Sequence, residues 1–188
     1  MRFWLAIGLG ALLCFVAAGG CSRRRPNDLP TAATPEQALR ELARVGGDAA
    51  RLFDLLDQDS RWSVMTVHRD LRALCQLVRT HYPKDRQIRE LQRCSAAETA
   101  REPRDLFVGQ ARGWGMLEGI DGLSGKEPVQ GSGEQRSVTR AGAPALLLCR
   151  GGAGWGYCGL REKLDGLKLK TARDLASVQE NAEAYKGH

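Results

Sequence analysis

The chain has 188 residues, with 28 lysines and arginines against 22 aspartates and glutamates, a formal net charge of +6. This basic excess is small and scattered, whereas a nucleic-acid-binding protein concentrates its basic residues on one face. We therefore exclude nucleic acid as a partner. The basic cluster Arg23–Arg25 follows an apolar N-terminal segment. Each of its charges either gains roughly 1 kcal/mol near an anionic membrane or simply keeps a tether solvated.

The N-terminal segment reads MRFWLAIGLGALLCFVAAGGC. One charge, Arg2, precedes a mostly apolar run from Phe3 to Ala18, and two glycines separate that run from Cys21. A charged start, a short apolar core and small residues before a cleavage site are typical of a secretory signal peptide. The run is a little short for a transmembrane helix, which needs about 20 apolar residues.

The small residues directly before Cys21 resemble the lipobox of bacterial lipoproteins, although Ala18 stands where the family usually has leucine. The resemblance implies attachment of diacylglycerol to the Cys21 sulfur, cleavage before it, and acylation of the new amino terminus by a fatty acid such as palmitate. An ordinary cleaved signal peptide and an uncleaved anchor helix are the alternatives. The expected location is the bacterial membrane, facing the periplasm or the exterior. Ser22, where an aspartate often signals inner-membrane retention in enteric bacteria, favours the outer membrane.

Three segments follow from this pattern. Residues 1–20 are predicted to be the signal peptide, residues 21–33 the lipidated cysteine with a flexible tether, and residues 34–188 one α+β domain. The tether is assigned because it is rich in proline and small polar residues and lacks apolar periodicity.

The domain is predicted to begin with helices. Thr34 can cap the first, which Gly46 and Gly47 end, and Asp48 can cap the second. The longest periodic stretch, residues 60–81, predicts an amphipathic helix with Trp62 as an anchor of the core. Its expected apolar face consists of Trp62, Met65, Val67, Leu71, Leu74, Cys75 and Val78, with Arg61, Arg69, Asp70, Arg72 and Arg79 mainly opposite.

Two shorter helices are predicted after Pro83. The first spans about residues 84–94 and turns Ile88 and Leu91 inward. The second spans residues 104–112. A helix over residues 171–185 is expected at the C-terminus, preceded by a turn that breaks at Asp165 and Gly166.

A glycine-rich region between the helices predicts a small antiparallel sheet. Strands are expected near residues 128–130 and over residues 135–140, 145–150 and 155–158. The predicted fold is α+β, with N-terminal helices packed on a small curved antiparallel sheet and a C-terminal helix.

Four cysteines remain if Cys14 and Cys21 belong to the N-terminal segment, and four cysteines allow three pairings. A hairpin loop at residues 153–154 would place Cys149 opposite Cys158 and leave Cys75 to pair with Cys94. A loop at residues 152–153 fits a type II′ turn better and would place Cys149 opposite Gly156. Reduced, buried cysteines are the alternative to both disulfides.

Residues for catalysis or metal binding are few. The histidines are His68, His81 and His188, and no serine lies in a nucleophile-elbow pattern. The cysteines lack the close pairs of a zinc site. Residues 122–126 only faintly resemble a phosphate-binding loop, because Glu127 stands where serine or threonine should follow the lysine. We predict no catalytic residue, no metal and no cofactor. Aromatic residues that could either line an apolar pocket or fill the core are Trp114, Trp155 and Tyr157.

A helix ending in Gly-Gly-Asp, followed by residues 52–57 (LFDLLD) and 60–62 (SRW) and a later Gly-Gly-Ala-Gly-Trp hairpin, resembles the nuclear-transport-factor-like (ketosteroid-isomerase-like) superfamily. The resemblance covers residues 34–160. It implies a curved sheet and, in the family's enzymes, acidic residues inside a cone-shaped pocket. No Asp or Glu here matches such a motif closely enough to take that role.

The sequence therefore predicts a lipid-anchored envelope protein with a non-enzymatic binding or structural role. Its partners are the membrane, through the anchor, and an envelope protein. The alternative is a small-molecule-binding protein or enzyme with a cone-shaped pocket.

Overall fold

Local signals decide where the first helices begin and end. The Thr34 hydroxyl accepts a hydrogen bond from the Gln37 N–H at 3.2 Å, and the Asp48 carboxylate accepts one from the Ala50 N–H at 2.9 Å. Between these caps the chain reverses through Gly46 and Gly47, whose φ angles of 51° and 81° suit glycine. The predicted caps and stop are thus where the helices start and end.

The computed structural model describes residues 32–186. The predicted signal peptide, Cys21 and most of the predicted tether lie outside these residues. The described elements are α1 (Pro35–Ala43), α2 (Ala49–Leu55), α3 (Gln58–His81), α4 (Lys84–Gln92), α5 (Ser95–Thr99), α6 (Pro103–Gln110), β1 (Val129–Gln130), β2 (Gln135–Arg140), β3 (Ala143–Gly151), β4 (Gly154–Tyr157) and α7 (Arg161–Lys186). The fold is α+β: helices come first, an antiparallel sheet follows, and a helix ends the described chain.

The sheet is a meander with strand order β1-β2-β3-β4. Because side chains alternate along a strand, one face carries Leu146 and Leu148 of β3, Val138 of β2, and Trp155 and Tyr157 of β4, all of them buried. Helix α1 packs against β3 and β4 on this face, so the inner face of the sheet belongs to the main core.

The hairpin between β3 and β4 has the second of the two predicted registers. Cys149 lies opposite Gly156 and Gly151 opposite Gly154, so the loop is Gly152-Ala153 and the register with Cys149 opposite Cys158 is wrong. That register would have forced Ala153 into positive φ, a conformation that only glycines adopt among the described residues.

Helices α3 and α7 form the most extensive helix–helix contact of the described chain. They run in parallel: Ser63 contacts Asp165 near their starts, and the Tyr82 and Tyr185 rings are 5.0 Å apart near their ends. The predicted break at Asp165 and Gly166 is wrong. A Cβ added at Gly166 would meet no atom of another element within 4 Å, so no close contact requires glycine there. Packing of α7 against α3 outweighs the roughly 1 kcal/mol that a mid-helix glycine costs.

Three predicted core positions are on the surface instead, among them Met65 of α3, which is 47% exposed. Trp62 of α3 is 54% exposed and Ile88 of α4 is 72% exposed. Conversely, Arg61 and Asp70, expected on the polar side of α3, are buried. The buried apolar stripe of α3 consists of Val64, Val67, Leu74, Cys75 and Val78, with Leu71 partly buried.

Candidate functional site

Two disulfides within residues 32–186 join segments that are close in the sequence. Cys75–Cys94 joins α3 to the short connection between α4 and α5, with Cα atoms 5.8 Å apart. Cys149–Cys158 joins β3 to the residue after β4, with Cα atoms 5.7 Å apart. All four cysteines are buried. These pairings were expected from the register with Cys149 opposite Cys158; they form although that register is wrong and Cys149 lies opposite Gly156.

Asp57, just before α3, links the starts of α3 and α7. Its buried carboxylate caps α3 by accepting a hydrogen bond from the Asp59 N–H, and it also accepts one from the Ser60 hydroxyl. Arg161, the first residue of α7, donates to the same carboxylate through Nε and Nη2. A cation at a helix N-terminus opposes the helix dipole, and the Asp57 carboxylate offsets that cost.

Arg61 has a structural role as well. Its Nε donates to the Leu56 carbonyl at 3.1 Å and its Nη2 to the Asp54 carbonyl at 2.6 Å, which satisfies acceptors at the end of α2. The guanidinium also lies over the Phe53 ring, 5.5 Å from its centroid. This explains why an arginine is buried in the first turn of α3.

The exposed side of α3 carries a different set of side chains, which we name the α3 face. Its members follow the helical spacing of three and four residues: Trp62, Met65, Arg69, Arg72, Gln76 and Arg79. All six are exposed. Two large apolar side chains therefore lie near the start of the helix, and three guanidinium groups continue the same stripe toward its end.

An open cleft of about 730 Å³ follows the basic part of the α3 face. Its lining includes Arg69, Arg72, Gln76, Arg79, Thr80 and Glu98. Glu98, from α5, accepts two hydrogen bonds from Arg79, at 2.6 and 2.7 Å. These bonds, with the positive charges of Arg79 and Arg72, lower the pKa of the Glu98 carboxyl, and the same pairing raises the pKa of Arg79.

The other arginines of the cleft differ in their partners. Arg69 donates to Asp70 at 2.9 Å. Arg72 forms no ion pair with any described residue. His68 also lines the cleft, but its buried Nε2 lies 3.2 Å from the Ala100 carbonyl oxygen. Guanidinium groups therefore dominate the lining of the cleft, and Arg72 is the one without an ion-pair partner among residues 32–186.

The remaining predicted positions have structural roles. Trp155 and Tyr157 lie in the main core, where burial raises the pKa of Tyr157 to about 12, and Trp114 packs partly buried against it. In the loop that resembles a phosphate-binding loop, the Glu127 carboxylate accepts from the N–H groups of Ser124 and Gly125. The amides that would cradle a phosphate are therefore occupied by the chain's own carboxylate.

No group of three histidine, cysteine, aspartate or glutamate side chains within residues 32–186 could hold a metal ion. In the same range, no helix is long and apolar enough to cross a membrane. No family model, curated protein or solved structure matches this chain. The lipobox and the superfamily resemblance therefore stay predictions.

The α3 face was missed by sequence reasoning, although its signal was present. Trp62 and Met65 are spaced three apart, and Met65 and Arg69 four apart, so both apolar residues continue the arginine stripe. Met65 to Val67, by contrast, is a step of two, which does not stay on one side of a helix. Starting the apolar stripe at Val64 instead of Trp62 would have separated the two faces.

Proposed function

We propose that this chain is an exported bacterial lipoprotein, anchored to a membrane through Cys21, whose domain binds or supports another component at the membrane surface without catalysing a reaction. The domain faces the periplasm or the exterior, with the outer membrane favoured by Ser22. The observation that carries the proposal is the distribution of the cysteines between two buried disulfides and the N-terminal segment.

The disulfides support export because such bonds persist in oxidising compartments and are rare in the cytosol. All four cysteines of the described chain are used in them. Cys21 is then the cysteine that remains after the predicted cleavage, and it directly follows the small residues at the end of the apolar run. A signal for export and a domain suited to an oxidising space point to the same compartment.

An anchor also explains how a domain can be useful through binding alone. Attachment confines the domain to the membrane surface and raises its effective concentration near other envelope components. One acyl chain holds only marginally, whereas two or three hold durably. Weak contacts with a partner are then sufficient, because the anchor has already brought the two together.

The test is mass spectrometry of the full chain produced in a bacterium. We expect residues 1–20 to be absent and the peptide that begins at Cys21 to carry diacylglycerol and an additional acyl group. Cys21→Ser should carry no lipid. Cys14→Ser is the matched control, since it changes a cysteine inside the apolar run, and it should be lipidated like the parent. A chain that begins at residue 21 with an unmodified thiol would refute the proposal.

A further inference from the structure

We infer that the α3 face docks on an anionic lipid bilayer, with Trp62 and Met65 at the boundary of headgroups and acyl chains and the arginines among the phosphates. The inference rests on the proposed function, because the lipid at Cys21 is what holds the domain beside the bilayer. It adds the orientation of the domain and the surface that determines it.

The apolar end of the face is the first argument. Trp62 is 54% exposed and Met65 is 47% exposed, one helical turn apart on the same side of α3. Tryptophan combines an apolar ring with a polar N–H, which is why it is enriched where water meets the membrane. Neither residue belongs to a core cluster of the described chain.

Charge complementarity is the second argument. Arg69, Arg72 and Arg79 continue the stripe and present cations to the same side, as in helices that lie in the membrane interface. The acids beside them are already engaged: Asp70 is buried against Arg69, and Glu98 is held by Arg79. Because the same pairs also neutralise Arg69 and Arg79, the net positive charge of this part of the face comes from Arg72, which has no ion-pair partner among residues 32–186.

The attachment point of the chain is the third argument. The Ala32 carbonyl accepts from the Trp155 N–H, and two residues later the Tyr157 carbonyl accepts from the Asp57 N–H, directly before α3. The chain thus enters the domain near the start of α3, the end that carries Trp62. Trp62 follows Asp57 by five residues, which is roughly 7 Å along the helix. The ten residues between Cys21 and Ala32 span at most about 35 Å. That reach is close to the length of α3 itself, about 36 Å for its 24 residues.

The experiment follows the fluorescence of Trp62 in the lipidated full chain, reconstituted into vesicles that contain brominated phosphatidylcholine as an acyl-chain quencher. One set of vesicles is phosphatidylcholine alone, and the other also contains phosphatidylglycerol. The contribution of Trp62 is obtained by subtracting the signal of Trp62→Phe. We expect quenching in the anionic vesicles, little in the zwitterionic ones, and a decrease at high salt, because salt screens exposed charges.

Two double variants separate the α3 face from other exposed surfaces. Arg69→Gln with Arg72→Gln should lower the ratio of docked to undocked chains by roughly 5- to 25-fold in anionic vesicles, since each arginine near such a surface is worth roughly fivefold. Helix α7 supplies the matched control, because Lys170 and Arg173 are exposed and three residues apart, like Arg69 and Arg72. Lys170→Gln with Arg173→Gln should leave the quenching unchanged.

The inference is overturned if Trp62 of the anchored chain stays as accessible to aqueous acrylamide on anionic vesicles as on zwitterionic ones. That outcome would leave the face open to a protein partner and would not touch the proposed function, since the anchor would still be present. Equal losses from the two double variants would also overturn it. A chain recovered without lipid overturns the proposed function first, and the docking inference with it.

Discussion

The prediction that tests the fold most directly concerns Asp57. Asp57→Ala removes the cap of α3, which typically costs about 0.5–2 kcal/mol. It also leaves the Ser60 hydroxyl, which is fully buried, without its acceptor, at about 1–3 kcal/mol. The Arg161 side chain is 42% exposed, so water replaces much of its lost ion pair and the contribution is roughly 0–1 kcal/mol. Together these contributions predict a loss of about 1.5–6 kcal/mol in the free energy of unfolding.

The assay is urea denaturation followed by circular dichroism, comparing midpoints at unchanged slope. Asp57→Asn keeps one acceptor oxygen, enough for the Asp59 N–H or for the Ser60 hydroxyl but not for both, so its loss should be smaller than that of Asp57→Ala. Asp59→Ala is the matched control, since Asp59 also contacts Arg161 but its side chain is 57% exposed, and it should change stability by less than about 0.5 kcal/mol. A loss below about 0.5 kcal/mol for Asp57→Ala would refute the reasoning.

Three further predictions concern other parts of the structure. Cys75→Ala with Cys94→Ala should lower the free energy of unfolding by about 3 kcal/mol, because the unfolded chain regains the entropy of a loop that the disulfide had closed across a sequence separation of 19. The measurement is urea denaturation against the oxidised parent, and an unchanged midpoint would contradict a stabilising role of the disulfide. Trp62→Ala should cost less than about 1 kcal/mol because the ring is mostly in water, whereas Phe107→Ala, which is fully buried, should cost about 3–5 kcal/mol; similar losses would mean that Trp62 is buried. Burial raises the pKa of Tyr157 from 10.0 to about 12, so its contribution to stability is present below pH 10 and is lost as the pH rises toward 12. Tyr157→Phe should lose less stability over that range, and identical pH profiles for the two proteins would contradict this.

The parts of the fold that the sequence predicted well are those determined by short-range signals. Thr34 and Asp48 cap helices because their side-chain oxygens reach amides two or three residues away. The strand predicted over residues 135–140 has those bounds in the structure, because turn residues flank it on both sides. The disulfide partners were limited to few choices by their number alone.

The parts that failed depend on contacts between distant segments. Whether Trp62 faces inward is decided by what α7 and the helices after α3 cover, and the predicted apolar face of α3 is wrong only at Trp62 and Met65, near the start of the helix. Arg61 is buried because it reaches carbonyls of the preceding helix, which no periodicity indicates. The continuity of α7 through Gly166 likewise comes from its packing on α3, since the local residues favour a break.

The same long-range contacts explain why the α3 face can act as a surface of fixed shape. Helix α3 is held at its start by the link from Asp57 to Arg161 and in its second half by the disulfide from Cys75 to Cys94. Between them its buried stripe packs along α7. A surface whose backbone is already fixed loses little conformational entropy when it meets a partner, so even contacts of modest strength can produce net binding. The spacing of Trp62, Met65 and the arginines is therefore preserved along the helix, and the exposed stripe meets a flat surface as one unit.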